Sequence, residues 1–176
     1  MTYTEIPLAQ SIGAVYPFDQ LPLEALEQLA RDSQALRYRI GQPVLRRESM
    51  PHQLVLIVSG RCRLLGYDPY KKAPMTLGLL GPKSVLGLAG LVRGVPCEGA
   101  IASSEVEAIT LPVSLVRQLI GQHEPFAQAV TSNCYIAEVF DLASQYFQTQ
   151  ARSVSDLPGT ARKLQETARA ITLRAG

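Results

Sequence analysis

The feature that most constrains the fold is a series of short apolar segments between residues 36 and 111, separated by turns that contain glycine or proline. In the first of them Leu36, Tyr38 and Ile40 alternate with Arg37 and Arg39, which places the apolar side chains on one face of a strand. Strands that recur roughly every 8–12 residues are typical of a sandwich or barrel. We predict strands at 36–40, 44–45, 53–58, 61–65, 75–80, 100–102 and 106–111, with a hairpin turn at Ser59-Gly60.

Helical patterns flank these strands. Pro22 fits the first position of a helix at 22–32. After the strands, Pro112 begins a helix that Gly121 ends, and Pro125 begins a longer helix, 125–150. The glycine-rich segment 84–94 is long enough for one short helix. The predicted fold class is mainly β with flanking helices (α+β): an antiparallel β-roll or jelly-roll sandwich with one N-terminal helix, a short helix in a loop and two C-terminal helices.

The predicted helix 125–150 has two apolar faces, one through Phe126 and Val130 and the other through Val139 and Leu142. Such a helix usually covers its own domain and a second surface. We therefore expect a partner on it, either a second copy in a homodimer or an attached effector domain. We assign 1–150 to one domain and 151–176 to a linker and tail, with the linker at 153–160 and a basic helix at 161–173.

Composition argues against several classes of protein. A formal net charge of +2 gives no reason to expect nucleic-acid binding. No apolar run approaches the ~18 residues that cross a membrane, and the N-terminal sequence has no secretory pattern. Three cysteines without paired spacing favour reduced thiols and a cytoplasmic location. Two distant histidines have no metal-ligand spacing, so we expect no metal site.

Over residues 15–150, the order of predicted elements and several local patterns resemble the cyclic nucleotide-binding domain family. The patterns are Phe18-x-x-Leu21, Tyr38-Arg39-Ile40-Gly41-Gln42-Pro43-Val44, Leu56-Ile57-Val58-Ser59-Gly60-Arg61-Cys62-Arg63-Leu64 and Leu77-Gly78-Leu79-Leu80-Gly81-Pro82. Each pattern is weak alone, but their order and spacing together are fairly specific to the fold. The resemblance implies a regulatory or sensor domain without catalytic residues, and in some relatives a fusion to an ABC exporter.

In the family, a short helix after the last of these patterns presents backbone N–H groups to the cyclic phosphate. A glutamate after a glycine binds the ribose, and an arginine nine or ten residues later pairs with the phosphate. Here Gly87 matches the glycine, but Leu88 stands at the glutamate position and Cys97 at the arginine position, beside Glu98. One lost charge-assisted hydrogen bond costs about 1.5–3 kcal/mol. We therefore expect the fold without ordinary recognition of cyclic AMP or cyclic GMP.

The candidate pocket keeps a largely apolar lining. We expect Leu88, Ala89 and Leu91 to pack onto the roll and fill the pocket; the alternative is a less polar ligand. Arg93 lies in the same loop at a spacing that differs from the family's, and we expect it to be solvated. The candidate ligand-binding residues are Gly87, Leu88, Ala89, Gly90, Leu91, Arg93, Cys97 and Ala100.

Two rival functions remain open. One is a ligand sensor that binds a cyclic nucleotide or another small molecule through Arg93 and backbone N–H groups. The other is a small cysteine-dependent enzyme that uses Cys97, the thiol in the loop. DNA binding by this chain alone is not expected, because about 26 residues after Gln150 are too few for a helix-turn-helix domain.

Overall fold

A computed structural model describes residues 5–150 and 154–168, and within them eight strands form two four-stranded antiparallel sheets. The strands are β1 (Gln34–Tyr38), β2 (Pro43–Leu45), β3 (Gln53–Ser59), β4 (Cys62–Asp68), β5 (Ala73–Leu80), β6 (Val85–Leu86), β7 (Gly99–Ala102) and β8 (Val106–Pro112). One sheet has the order β1-β8-β3-β6 and the other β2-β7-β4-β5. The predicted antiparallel sandwich, mainly β with flanking helices, is confirmed.

The helices in the described residues are α1 (Glu5–Gly13), α2 (Leu23–Asp32), α3 (Leu88–Arg93), α4 (Val113–Gln122), α5 (Glu124–Thr131), α6 (Ile136–Thr149) and α7 (Leu157–Thr167), with a 3-10 turn at Phe18–Gln20. The prediction of one N-terminal helix was wrong, because α1 precedes α2. Ala9 and Ile12 of α1 are fully buried in a cluster that also contains residues of α2. Among the described residues, no helix is long and apolar enough to span a membrane.

The prediction of one continuous helix at 125–150 was wrong. The chain leaves the helical conformation after α5 and resumes it at α6, and Tyr135 between them is extended, with ψ 135°. Side chains replace the missing helical bonds: the Asn133 amide donates to the Ala129 carbonyl (3.3 Å) and the Tyr135 hydroxyl to the Val130 carbonyl (3.0 Å). Cys134, which lies in this break, is only half-buried.

The tail contains a helix, as predicted, but α7 begins at Leu157, inside the predicted linker 153–160, and ends at Thr167 instead of running from 161 to 173. Asp156 caps it by accepting the Gly159 N–H (3.0 Å), and Pro158 lies in the first turn, where a helix needs no N–H. Pro158 and Gly159, which lie in the predicted linker, are therefore part of the helix. Leu157 and Ala161 are buried against the roll, and residues 169–173 lie outside the described part of the chain.

Two strand details also differ from the prediction. β1 is an edge strand that pairs with β8, and Leu36 is 38% exposed rather than buried. Ser59-Gly60 is not a hairpin turn, because it connects β3 in one sheet to β4 in the other. Gly60 has φ +83°, and a side chain there would collide with the Glu105 carbonyl, so this crossing needs glycine.

The first sheet separates two apolar cores. One core lies between that sheet and helices α1, α2, α4 and α5, around Phe18 and Phe126. The other lies between the two sheets and is covered by Phe140 of α6. α3 belongs to both: Leu88 and Leu91 are in the first core and Ala89 in the second. The loop that carries the candidate site is therefore built into the interior of the fold.

Candidate functional site

The candidate site centres on α3, which begins at a glycine that no other residue replaces easily. Gly87 caps α3 with φ +98°, and a Cβ there would lie 2.9 Å from Leu54 Cδ2. The residues that follow are all buried: Leu88, Ala89, Gly90 and Leu91. This burial agrees with the expectation that their side chains pack onto the roll.

Glu98 is the polar group that sequence analysis left out of the candidate site. It immediately precedes β7, and its carboxylate oxygen Oε2 accepts the N–H groups of Ala89 (3.1 Å) and Gly90 (3.5 Å). Burial raises the pKa of Glu98 to about 7, although the N–H groups of Gly90, Ala89 and Gly87 lower it. A carboxylate thus takes backbone contacts that the family resemblance assigns to a phosphate.

Cys97, at the arginine position of the resemblance, is part of the core. Its side chain is buried between the sheets with that of Ala100. Burial raises the pKa of the Cys97 thiol to about 11, and the neighbouring Glu98 charge adds to the rise. This burial weighs against the rival hypothesis of a cysteine-dependent enzyme, because the loop packs Cys97 inward.

Arg93 was expected to be solvated, and that expectation was also wrong. Its Nη1 donates to Asp141 Oδ2 on α6 at 2.8 Å, and its side chain is only 15% exposed. Arg47, from the loop before β3, pairs with the other oxygen of Asp141, and Gln145 donates to Oδ2 at 3.0 Å. This cluster of two cations and one carboxylate connects the loop of the candidate site to the helix that covers the roll.

A cavity of about 270 Å³ lies beside Glu98, where the roll meets the break before α6 and helix α7. Its lining is Leu64, Leu80, Val85, Glu98, Asn133, Cys134, Tyr135, Ile136, Ala137 and Gln165. Of the predicted site residues, none contributes to this lining. The predicted loop therefore lies next to this cavity, but the polar side chains of the lining belong to residues that were not predicted: Glu98, Asn133, Tyr135 and Gln165.

A model of the cyclic nucleotide-binding domain family matches residues 35–123, which is half of the chain. The chain belongs to this family. The match includes α3, Glu98 and the strands of the roll, and it confirms the family resemblance. No protein with curated annotation matches this chain in sequence.

Solved structures of this family share the fold. The sensor domain of the transcriptional regulator DNR from Pseudomonas aeruginosa matches with a TM-score of 0.66 at 15% identity, covering 88% of this chain and 98% of that one. The regulatory domain of Toxoplasma gondii PKA, solved with cAMP, matches with a TM-score of 0.64 at 12% identity, covering 71% of this chain and 48% of that one. A cyclic nucleotide-binding-like protein from Brucella abortus is 25% identical, with a TM-score of 0.54, covering 65% of this chain and 98% of that one. The cyclic nucleotide-binding family is a regulatory and sensor family.

Proposed function

We propose that this chain is a non-catalytic regulatory or scaffold domain that does not bind cyclic AMP or cyclic GMP in the usual way. Its own carboxylates accept the hydrogen bonds of the donors that would otherwise bind the cyclic phosphate. The observation that carries the proposal is the Glu98 carboxylate on the N–H groups of Ala89 and Gly90. A cyclic phosphate at these groups would lie against an acid, with Cys97 where relatives place an arginine. Repulsion and the missing guanidinium both act against binding.

Arg93 supports the same proposal. It is the cation of this loop, and it already donates to Asp141. A phosphate that recruited Arg93 would have to break this partly buried ion pair, and a hydrogen bond between charged groups contributes about 1.5–3 kcal/mol. This cost weighs against the alternative of a cyclic nucleotide sensor that works through Arg93.

The Asp141 cluster also gives the domain a way to work without a nucleotide. The family resemblance implies that ligand closes the trailing helix onto the pocket. In this chain Arg93 and Arg47 hold Asp141 of α6, and Phe140 beside it is buried in the core between the sheets. We therefore expect α6 to keep one position on the roll, as in a constitutive scaffold.

Isothermal titration with cyclic AMP and cyclic GMP tests the proposal. We expect no binding heat at nucleotide concentrations up to about 1 mM, with circular dichroism to confirm that the protein is folded. One-to-one binding in the low micromolar range would overturn the proposal and establish the sensor instead.

We further propose that the exposed face of α6 contacts a second copy of this chain or an attached effector domain, of which an ABC exporter is one example. Leu142 is 50% and Tyr146 60% exposed there, and both border an apolar cleft of about 660 Å³. Sedimentation velocity separates the two: a dimer that Leu142→Asp dissociates supports the homodimer, and a monomer at all concentrations favours the effector. Three free cysteines are consistent with the cytoplasmic location that we propose.

A further inference from the structure

The cavity beside Glu98 has an acidic lining, which would repel an anionic ligand. Glu98 is a charged lining residue, and among the described residues around this cavity there is no lysine, arginine or histidine. The hydrogen bonds that Glu98 accepts come from uncharged backbone groups. Above the Glu98 pKa of about 7, the negative charge of this carboxylate is therefore not neutralised by a cation in the lining.

The other polar groups of the cavity are uncharged, and each donates a hydrogen bond to a backbone carbonyl. The Gln165 side-chain nitrogen donates to the Cys134 carbonyl at 2.7 Å, and that of Asn133 donates to the Ala129 carbonyl. The Tyr135 hydroxyl donates to the Val130 carbonyl. The Tyr135 hydroxyl and one N–H of each amide are therefore used inside the protein. The second N–H groups, the amide oxygens and the Glu98 carboxylate are left for a ligand, and of these the carboxylate carries a charge.

The apolar walls and the volume limit the body of such a ligand. Leu64, Leu80, Val85 and Ile136 form the walls. The volume of about 270 Å³ equals that of roughly nine water molecules in the liquid. A ligand of about nine non-hydrogen atoms with an apolar body therefore fits the space.

We propose that this cavity binds a small organic cation, a primary amine on an aromatic or aliphatic body, with its ammonium group against Glu98. The inference rests on the proposed loss of anion binding at this site and adds the class of molecule that replaces the anion. Burial raises the pKa of Glu98 to about 7, and a bound cation would lower it again because it favours the ionised carboxylate. Since Gln165 of α7 and Ile136 of α6 both line the cavity, the bound amine would contact both helices.

The test is a titration followed by protein NMR at pH 8, where the carboxylate is ionised and a primary amine is protonated. The probes are phenethylamine, the uncharged 2-phenylethanol and the anionic phenylacetate, which share one aromatic body. We expect phenethylamine to bind at least about tenfold more tightly than the alcohol, with shifts centred on Tyr135, Ile136 and Glu98, and phenylacetate not to bind.

Two variants with the same change of charge complete the experiment. Glu98→Gln should weaken phenethylamine binding about tenfold and leave the alcohol unchanged, and Glu138→Gln, on α6 outside this cavity, should have no effect. The proposal is wrong if the amine and the alcohol bind equally, if Glu98→Gln leaves amine binding intact, or if no amine binds at millimolar concentration. Such a failure leaves the nucleotide titration unaffected, because the nucleotides are measured separately.

Discussion

At the scale of single residues, the ionisation of Glu98 makes the stability of the protein depend on pH. Burial raises its pKa from 4.5 to about 7, so between these values the folded protein holds a proton that the unfolded chain releases. The contribution of Glu98 to the free energy of unfolding therefore falls by about 3 kcal/mol as the pH rises from about 4.5 to 7. Above that range, the contribution of this group no longer changes with pH. Urea unfolding of the wild type and Glu98→Gln across pH 4–8 measures this contribution as the difference between the two profiles.

The exposed Glu105→Gln variant is the matched control, because it removes the same charge from the surface. Parallel pH profiles for the wild type and Glu98→Gln would show that the carboxylate on the α3 N–H groups is not a buried titrating group. That result would also remove the main support for an internal carboxylate in place of a phosphate.

The reactivity of the Cys97 thiol tests the alternative of a cysteine-dependent enzyme. Because its thiol is buried and has a pKa of about 11, we expect iodoacetamide at neutral pH to label the half-buried Cys134 first and Cys97 only very slowly. Peptide mass spectrometry over time gives the two rates, and labelling in urea confirms that both thiols can react. Rapid labelling of Cys97 in the folded protein would reopen the enzyme alternative.

At the scale of elements, the position of α6 depends on a glycine in β4. A Cβ on Gly66 would lie 2.5 Å from Phe140 Cε1 and 3.1 Å from Leu77 Cδ2, so the backbone of β4 leaves the space that the aromatic ring occupies. We expect Gly66→Ala to reduce the free energy of unfolding by about 1–3 kcal/mol and to increase hydrogen exchange in α6. Urea unfolding and exchange measured by mass spectrometry test both effects.

Gly78→Ala is the matched control, on the adjacent strand β5. A Cβ there has no atom within 4 Å, so we expect a change within about 0.5 kcal/mol. If the two alanine variants are equally stable, α6 does not depend on the close approach of Phe140 to β4.

The elements that could be predicted from the sequence are those whose pattern is local. Alternating residues and glycine turns predicted seven of the eight strands in the described residues. Segment 84–94 contains the predicted short helix, α3, but also the strand β6, which was missed because it has only two residues. The break before α6 could not be predicted, because the apolar spacing continues through it while the Tyr135 hydroxyl replaces a helical bond. The charges of the site could not be predicted either, since Arg93 and Asp141 are 48 residues apart in sequence. Glu98 was noticed only as an acid next to Cys97, because its role depends on how β7 passes the start of α3.

At the scale of the whole molecule, α7 is part of the same packed unit as the roll. Leu157 and Ala161 are buried in the core between the sheets, Arg162 donates to the Leu77 carbonyl, and Gln165 donates to the Cys134 carbonyl. We therefore expect a chain that ends at residue 150 to lose about 3 kcal/mol of unfolding free energy, since burying one leucine side chain contributes about 1.5–3 kcal/mol before the hydrogen bonds are counted. Urea unfolding of the full and shortened chains measures the loss.

Point variants separate this packing from an effect of chain length. Leu157→Ala removes a buried side chain and should cost about 2–3 kcal/mol, whereas Lys163→Ala, on the exposed side of the same helix, should change stability by less than about 0.5 kcal/mol. A chain of residues 1–150 as stable as the full one would instead support the domain boundary predicted from the sequence. Because Gln165 lines the cavity beside Glu98, the shortened chain should also bind phenethylamine more weakly, which relates the end of the fold to the chemistry of the site.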